Sequence, residues 1–340
     1  MIDLRSSPAT ATPAPRIGVV INARAHANRH TPKRVHQLQA LLGARDHAVT
    51  TRSLTELDAA CAALANERPD VVAICGGDGT LHRTLTGMIR SYAERTLPPI
   101  VILRGGAMNI AAASLGFHGD PIDHLRRFVA LRERGDLAAC LAGRVNASRP
   151  GLEMFEHRLL RIDGRYGFLF GTGVIHDFLK AYYATPEPSR TTAACLLLRA
   201  AASSLVGGPL ARRVCRPFHA RVLTEGRIWP RHHFVTICAA TIEQIGFGFR
   251  PFPRCRGRTD GFEVLGIHTT PLGLLRELPR VRAGKPMRAD KVIDELTRAL
   301  AIESLDPGAL GYTIDGDLYT CSDVLRIESG PVLRFVRTVG

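Results

Sequence analysis

Regular alternation between short apolar segments and helical segments is the feature that most restricts the fold of this chain. From Arg16 the apolar segments RIGVVIN, DVVAIC and PIVILRGG alternate with stretches of helical spacing, such as residues 54–66 and 80–95. Strands that alternate with helices of about ten to fifteen residues are typical of parallel βαβ units. Residues 16–143 are therefore predicted to form an α/β domain whose parallel sheet is flanked by helices.

The pattern changes near residue 144. Strand-like segments now surround turn dipeptides, and a weakly charged helical segment covers about 188–206. Strands that flank such dipeptides indicate hairpins, and a series of them indicates an antiparallel sandwich or a small barrel. Residues 144–321 are therefore predicted to form a β-sandwich-like second domain. Residues 1–15, rich in Ser, Thr, Ala and Pro, are predicted to be a disordered tail.

Composition narrows the choice of partner and compartment. Lys and Arg total 45 against 31 acidic residues, a net charge of +14, which suits an anionic partner such as nucleotide phosphates or a negatively charged membrane surface. Aromatic residues make up only 6%, too few for a base-stacking surface, so no nucleic-acid role is predicted. The eight cysteines show neither C-x-x-C nor zinc spacing, which favours a reducing, cytoplasmic compartment.

Two glycine turns follow neighbouring apolar strands. The first is Gly76-Gly77-Asp78-Gly79-Thr80, and the second begins Gly105-Gly106 and reaches Asn109. Glycines let a phosphate approach the backbone, and the helix that follows adds its dipole and free N–H groups. Because the carboxyl ends of parallel strands meet at one sheet edge, the two turns are predicted to form a two-sided phosphate cradle. A tight structural turn with Asp78 as a helix N-cap is the alternative interpretation of the first turn.

Other routes to phosphate or hydrolytic chemistry are missing from the sequence. It contains no G-x-x-x-x-G-K-[ST], no G-x-G-x-x-G after a strand, no H-E-x-x-H and no G-x-S-x-G. The P-loop, dinucleotide-binding, zinc-protease and serine-hydrolase classes are therefore disfavoured.

These residues resemble the diacylglycerol/sphingosine-type lipid kinases, a family that shares its superfamily with the NAD kinases. Gly76 to Thr80 matches the superfamily's G-G-D-G-T signature, and the segment 106–116, GAMNIAAASLG, is similar to the family's GTxNDFARxLG. Asn22 resembles the Asn of a first-strand turn, and Thr50 or Thr51 a Thr that faces the nucleotide. Asp315-Gly316-Asp317 resembles a D-G-E element that closes over the active site.

The resemblance implies a kinase that uses ATP and Mg²⁺ in a cleft between the two domains. It implies that the last segment, 322–340, returns to the first domain. It assigns Asp315 as general base, with Asp78 as the competing candidate, and Asp317 as a ligand of Mg²⁺. The nucleotide-binding residues that it implies are Asn22, Thr51, Gly76, Gly77, Asp78, Gly79, Thr80, Gly105, Gly106 and Asn109.

Several positions depart from the family pattern. Ala107 replaces a Thr, Ile110 an Asp, Ala113 an Arg, and Arg83 stands where a Glu is usual. The predicted function is ATP-dependent phosphoryl transfer to the hydroxyl of a diacylglycerol-like or sphingoid-like lipid. A catalytically degenerate member that binds nucleotide or lipid, and a kinase for a soluble nucleotide such as NAD, are the alternatives.

The segment around 193–221 bears on where such a protein would act. A weakly polar run, 193–210, is followed by Arg212, Arg213, Arg216 and Arg221. An apolar face rimmed by Arg suits peripheral contact with an anionic membrane. A core helix followed by a solvated loop is the alternative interpretation. The expected protein is cytoplasmic with peripheral membrane contact, and a homodimer is one option for its oligomeric state.

Overall fold

The computed structural model describes residues 13–143, 151–186 and 189–339. Most of the predicted tail, 1–15, and the residues at the predicted domain boundary, 144–150, lie outside these described residues. The first region is built from four strands: β1 (Ile17–Asn22), β2 (His47–Thr51), β3 (Val71–Gly76) and β4 (Ile100–Arg104). Its helices are α1 (His26–Arg29), α2 (Lys33–Ala40), α3 (Leu54–Glu67), α4 (Asp78–Tyr92), α5 (Ile110–Ser114), α6 (Pro121–Glu133) and α7 (Asp136–Leu141).

The four strands form a parallel sheet in the order β4-β3-β1-β2. Every residue of β3 is buried, as are the first five residues of β1, because helices cover both faces of the sheet. Helices α3 and α4 pack together on one face, and α2 packs against α6 on the other. The α/β prediction is confirmed, and the sheet turns its carboxyl edge toward the second region.

The second region contains strands β5 to β17 and helices α8 to α11. Its strands are β5 (Leu152–Ile162), β6 (Arg165–Gly167), β7 (Leu169–Thr172), β8 (Phe218–Thr224), β9 (Arg227–Ile228), β10 (His233–Phe234), β11 (Thr236–Ala240), β12 (Phe262–Ile267), β13 (Val292–Thr297), β14 (Ala299–Ser304), β15 (Leu310–Ile314), β16 (Asp317–Cys321) and β17 (Leu325–Thr338). Its helices are α8 (Val174–Tyr183), α9 (Arg190–Leu205), α10 (Pro209–Val214) and α11 (Pro271–Arg282).

Two antiparallel layers enclose the core of the second region. One layer is the sheet β13-β12-β11-β7-β15-β16, and the other contains β8, β14, β17 and β5. Apolar side chains from both layers, among them Phe170, Val222, Ile302 and Tyr312, form one buried cluster between them. The antiparallel second region predicted from the turn dipeptides is therefore confirmed, and its form is a sandwich.

The last strand, β17, links the two regions. It pairs antiparallel with β14 and along most of its length with β5, and near its end Phe335 pairs in parallel with Ile100 of β4. The strand thus extends the parallel sheet into the antiparallel layer, so that both share one continuous sheet.

Some element predictions are wrong in detail. Helix α4 begins at Asp78, not at Thr80, because Gly77 adopts the extended conformation of an N-cap, with φ −95° and ψ −175°. Helix α8 was not predicted, although its apolar residues recur at helical spacing, because its aromatic and β-branched residues have a low intrinsic helix propensity. Strands β13 and β14 were also missed, because pairing with β12 and β8, not local preference, makes them strands.

Candidate active site

A cavity of about 1060 Å³ lies between the carboxyl edge of the parallel sheet and the second region. One end is lined by the first glycine turn, Arg83 and the hairpin residues Asp315 and Asp317. The other end is lined almost entirely by apolar side chains. Its volume is at the upper limit of ordinary small-molecule pockets, which reach about 1,000 Å³.

The two glycine turns pack directly against each other. Gly105 donates its backbone N–H to the carbonyl of Gly76 at 2.8 Å. A Cβ on Gly106 would overlap the Cα of Gly77, and a Cβ on Gly105 would lie 3.1 Å from the Cα of Gly76. The glycines are therefore required for contact between the turns, a cause that the sequence alone did not show. The packed turns present their backbone at one wall of the cavity.

Asp78 joins the two turns. Its Oδ1 accepts a hydrogen bond from the backbone N–H of Ala111 at 2.9 Å, so it caps helix α5 and not its own helix. The alternative interpretation of Asp78 as the N-cap of α4 is thus wrong, because Gly77 holds that position. Burial raises the pKa of Asp78, although hydrogen bonds from the backbone of α5 act in the opposite direction.

Two of the predicted nucleotide-binding side chains, Asn22 and Thr51, lie side by side at the ends of β1 and β2, and hydrogen bonds fix Asn22. Asn22 donates its side-chain N–H to the hydroxyl of Thr80 at 2.7 Å and accepts from the backbone N–H of Arg24 at 2.8 Å. Thr51, which pairs with Asn22 across β1 and β2, is buried and lines the cavity. Thr80 lies within α4, so its hydroxyl does not cap that helix.

Asn109 closes the second turn on itself. Its side-chain oxygen accepts from the backbone N–H of Gly106 at 2.8 Å, and its N–H donates to the carbonyl of the same residue at 2.7 Å. It adopts a left-handed conformation, with φ 53°, which Asn tolerates better than most residues. Asn109, Gly76 and Gly105 are not among the residues that line the cavity, so they support the cradle from behind.

Asp315 is the buried carboxylate of the site. Its Oδ1 accepts from the backbone N–H groups of Phe168 at 3.1 Å and Leu169 at 2.8 Å. Burial, then the neighbouring charge of Asp78, raises its pKa well above the usual range of an aspartate. Asp315 and Gly316 have φ of 47° and 92°, both positive, which is the geometry of a two-residue type I′ turn.

Asp317 lies over the start of α4 and pairs with Arg83. Its Oδ2 is 2.5 Å from the Nε of Arg83. Its Oδ1 lies so close to Gly79 that a Cβ on that residue would be only 2.7 Å away. The predicted metal ligand, Asp317, therefore lies at the positive end of the α4 dipole, and the guanidinium of Arg83 beside it neutralises its charge. Sequence reasoning noted Arg83 as a departure but gave no sign of this ion pair.

A second link between α4 and the hairpin involves His82. Its Nδ1 donates to the carbonyl of Tyr166 at 2.6 Å, so its Nε2 accepts from the hydroxyl of Tyr319 at 2.9 Å. Burial lowers the pKa of His82, which keeps the ring neutral as this arrangement requires. No signal in the sequence distinguished His82 from the other histidines.

The residues fit Mg²⁺ only as part of a complex with phosphates. Among the described residues, no three His, Cys, Asp or Glu side chains lie close enough together to hold a metal ion. Magnesium is commonly held by one or two carboxylates together with substrate phosphates. Asp317, beside Gly79 at the wall of the cavity, is suited to that limited role.

The apolar end of the cavity is built by helices of the second region. Its side chains come from α8, α9 and α11 and from the loop 245–252, and they include Ile175, Phe178, Leu179, Leu197, Leu274, Leu278, Phe249 and Phe252. The hydroxyl of Tyr183 lies at the junction and donates to the carbonyl of Gly316 at 3.0 Å. Asp260 lies away from the cavity, on the surface, paired with Arg258.

Comparison with known proteins agrees with this fold. Residues 16–139 match the family of the diacylglycerol kinase catalytic domain. A crystal structure of a diacylglycerol kinase from Bacillus anthracis str. Sterne is 14% identical, with a TM-score of 0.61, and the match covers 95% of this chain and 96% of that one. Another structure from the same organism, provisionally described as a diacylglycerol kinase, is also 14% identical, with a TM-score of 0.64 and coverage of 94% and 96%. No curated protein matches this sequence. The resemblance predicted from the sequence is confirmed.

Proposed function

We propose, from the match of residues 16–139 to the diacylglycerol kinase catalytic domain family, that the chain transfers a phosphoryl group from ATP to the hydroxyl of a lipid. One observation carries the proposal: a phosphate-type glycine cradle and the buried carboxylate of Asp315 line the polar end of a cavity whose other end is apolar. A lipid with a single polar end fits such a cavity, with its hydroxyl next to Asp315 and its chains among α8, α9 and α11.

The polar end supplies what phosphoryl transfer requires of a protein, namely positioning and charge neutralisation. The backbone of residues 77–80 and the side chains of Arg24, Arg52 and Arg83 line this end and suit the phosphates of ATP. When bound with the nucleotide, Mg²⁺ would neutralise charge on the phosphates, and Asp317 is the residue proposed to help hold it.

Asp315 is the proposed general base. It is buried at the junction of the two ends, and two backbone N–H groups fix its orientation toward the cavity. Its raised pKa increases its affinity for a proton, which suits a group that must take one from an alcohol. Asp78 remains the competing candidate, although its Oδ1 is already engaged by α5.

The acceptor is proposed to be diacylglycerol-like or sphingoid-like, and the donor ATP. The apolar end disfavours a soluble nucleotide such as NAD as acceptor, because it offers such a molecule few hydrogen-bonding groups. None of the eight cysteines forms a disulfide, which supports the proposed cytoplasmic location. Among the described residues, no helix is long and apolar enough to cross a bilayer.

The test is transfer of labelled phosphate from ATP to a panel of diacylglycerols, sphingoid bases and NAD, with the lipids presented in mixed micelles. The proposal expects label in a lipid, at a rate that falls by roughly 10²–10⁴ after Asp315→Asn. ATP binding without transfer to any lipid would contradict it.

A second candidate, a non-catalytic member that binds nucleotide or lipid, rests on the Arg83–Asp317 ion pair. That pair neutralises the carboxylate proposed to help hold Mg²⁺. In this case Asp315→Asn and Asp78→Asn would leave the protein's cellular effect intact. Loss of the effect in both variants would exclude this candidate.

A further inference from the structure

Helix α9 carries apolar side chains on two opposite faces. Its inner face lines the cavity through Ala193, Leu197, Ala200, Ala201 and Ser204. Its outer face exposes Cys195, Leu198, Ala202 and Leu205, which recur at intervals of three and four residues. Since each residue turns a helix by about 100°, positions two apart, such as 198 and 200, lie on nearly opposite sides. A helix of a water-soluble domain normally places polar residues outward, so the outer face is unusual.

The exposure of this face is large. Leu198 is 71% exposed, Leu205 66% and the adjoining Val206 81%, the three highest values among the exposed large hydrophobic residues of the described chain. The helix packs against α8, α10 and α11, and these contacts leave the outer face uncovered. Contiguous exposed apolar surface of this kind marks a site of interaction with a protein or a membrane.

The segment that carries this face has charged residues of only one sign. Residues 188–224 contain six arginines and no lysine, aspartate or glutamate. Arg199, Arg212 and Arg213 are exposed, and none of them forms an ion pair with the described residues. By contrast, half of the other arginines of the second region, such as Arg221 and Arg254, have a carboxylate partner among the described residues. An apolar stripe beside unpaired arginines has the chemistry of a surface that binds anionic lipid headgroups.

We propose that the outer face of α9, continued by Val206 and by Arg212 and Arg213 of α10, docks on an anionic membrane. The same helix then separates the bilayer from the cavity by about one helix diameter, roughly 10 Å. Lipid entry beside α9 rests on the proposed function, whereas docking itself does not. A second copy of this chain is a poorer occupant, because a two-fold contact would set the same arginines of both copies against each other.

The native thiol of Cys195 provides a direct probe. It is the exposed cysteine of the outer face, whereas Cys321 is half-buried and the other six are buried. In a Cys321→Ser background, an environment-sensitive fluorophore on Cys195 should shift to the blue with vesicles that contain phosphatidylglycerol. The shift should weaken with added salt and with phosphatidylcholine alone. The control carries the label at the exposed Glu133→Cys of α6, in a protein that also has Cys195→Ser, and should not shift.

Two pairs of variants separate the apolar from the electrostatic contribution. Leu198→Gln/Leu205→Gln should weaken binding to these vesicles by about tenfold or more, because both side chains lose apolar burial. Arg212→Gln/Arg213→Gln should weaken it roughly thirtyfold, as each arginine near an anionic surface contributes about fivefold. The matched controls, Ile228→Gln/Leu305→Gln and Arg45→Gln/Arg326→Gln, change exposed residues on other elements and should bind as the parent does.

Each outcome decides between docking and the proposed kinase function. Vesicle binding is measured without ATP, so loss of phosphoryl transfer with binding intact contradicts only the kinase proposal. An unshifted Cys195 label, or α9 variants that bind as their controls do, overturns docking, even if a short-chain, water-soluble acceptor is phosphorylated. A dimer in solution that shields Cys195 without vesicles would also overturn it in favour of a second copy.

Discussion

The Nε of Arg83 lies 2.5 Å from Oδ2 of Asp317, and this ion pair joins helix α4 of the first region to the β15–β16 hairpin of the second. Both side chains are partly exposed, at 33% and 23%, so water screens the pair. Its main consequence is therefore local charge: the guanidinium cancels one carboxylate at the wall of the proposed phosphate site.

Replacement of Arg83 by Gln is expected to weaken ATP binding, because Asp317 would then repel the phosphates. We expect about a fivefold weaker affinity without Mg²⁺, equivalent to about 1 kcal/mol, and a smaller effect with excess Mg²⁺. Calorimetric titration with ATP at several Mg²⁺ concentrations measures this. Arg83→Lys should retain most of the affinity, and Arg83→Gln/Asp317→Asn should recover it. Equal loss in the single and double variants would argue against charge compensation.

Asp315→Asn is expected to lower kcat by roughly 10²–10⁴, the usual contribution of a general base. Its hydrogen bonds from Phe168 and Leu169 need only an acceptor oxygen, which Asn retains, so the fold should persist. Steady-state kinetics with labelled ATP, together with the thermal midpoint, test this. Activity near that of the parent would exclude Asp315 as the general base, and Asp78→Asn would then test the competing candidate.

The raised pKa of Asp315 predicts a pH dependence in both rate and stability. The base must be ionised, so kcat/KM should rise with pH through a pKa well above that of an ordinary aspartate. Because the folded-state pKa is raised, ionisation of Asp315 costs the folded state free energy, and stability should fall as pH rises through the same window. Kinetics and urea unfolding across pH measure the two effects. The pH-dependent loss of stability should be smaller in Asp315→Asn, and an unchanged slope would contradict this assignment.

Tyr319→Phe should destabilise the protein by about 1 kcal/mol, because Nε2 of the buried His82 loses its hydrogen-bond donor. Denaturant unfolding measures the change. Tyr183→Phe is the matched control, since Tyr183 is 47% exposed and water can replace its bond to Gly316, so its effect should be smaller. Equal effects would show that the His82 contact does not contribute to coupling of the two regions.

Gly106→Ala should disrupt the cradle, because its Cβ would overlap the Cα of Gly77 and neither backbone can move alone. We expect a loss of about 1–3 kcal/mol in stability, together with loss of ATP binding. Gly43→Ala is the control, as the nearest atom to its Cβ would be 3.6 Å away. Normal nucleotide affinity in Gly106→Ala would show that contact between the turns is not required.

Local patterns in the sequence predicted the strands and helices of residues 16–143 well. Helix α3 was expected at 54–66 and spans Leu54–Glu67. The three turns at Asp163-Gly164, Glu225-Gly226 and Asp315-Gly316 all have positive φ at both residues, as such dipeptides prefer. These features are local, since a few neighbouring side chains and the backbone freedom of glycine decide them. Strands β13 and β14 lacked such a signal, because distant partners make them strands.

The sequence by itself determined the alternation of strands and helices and the two glycine turns, because each depends on residues close together in the chain, whereas the roles of Asp315 and Asp317 were implied only by the resemblance to the lipid kinases. Only the tertiary structure decided what those residues touch. Asp78 caps α5, the glycines allow one turn to pack on the other, and Arg83 neutralises the charge of Asp317 in an ion pair. These contacts join residues that are up to 234 positions apart, and the packing of two regions around one shared strand sets their distances.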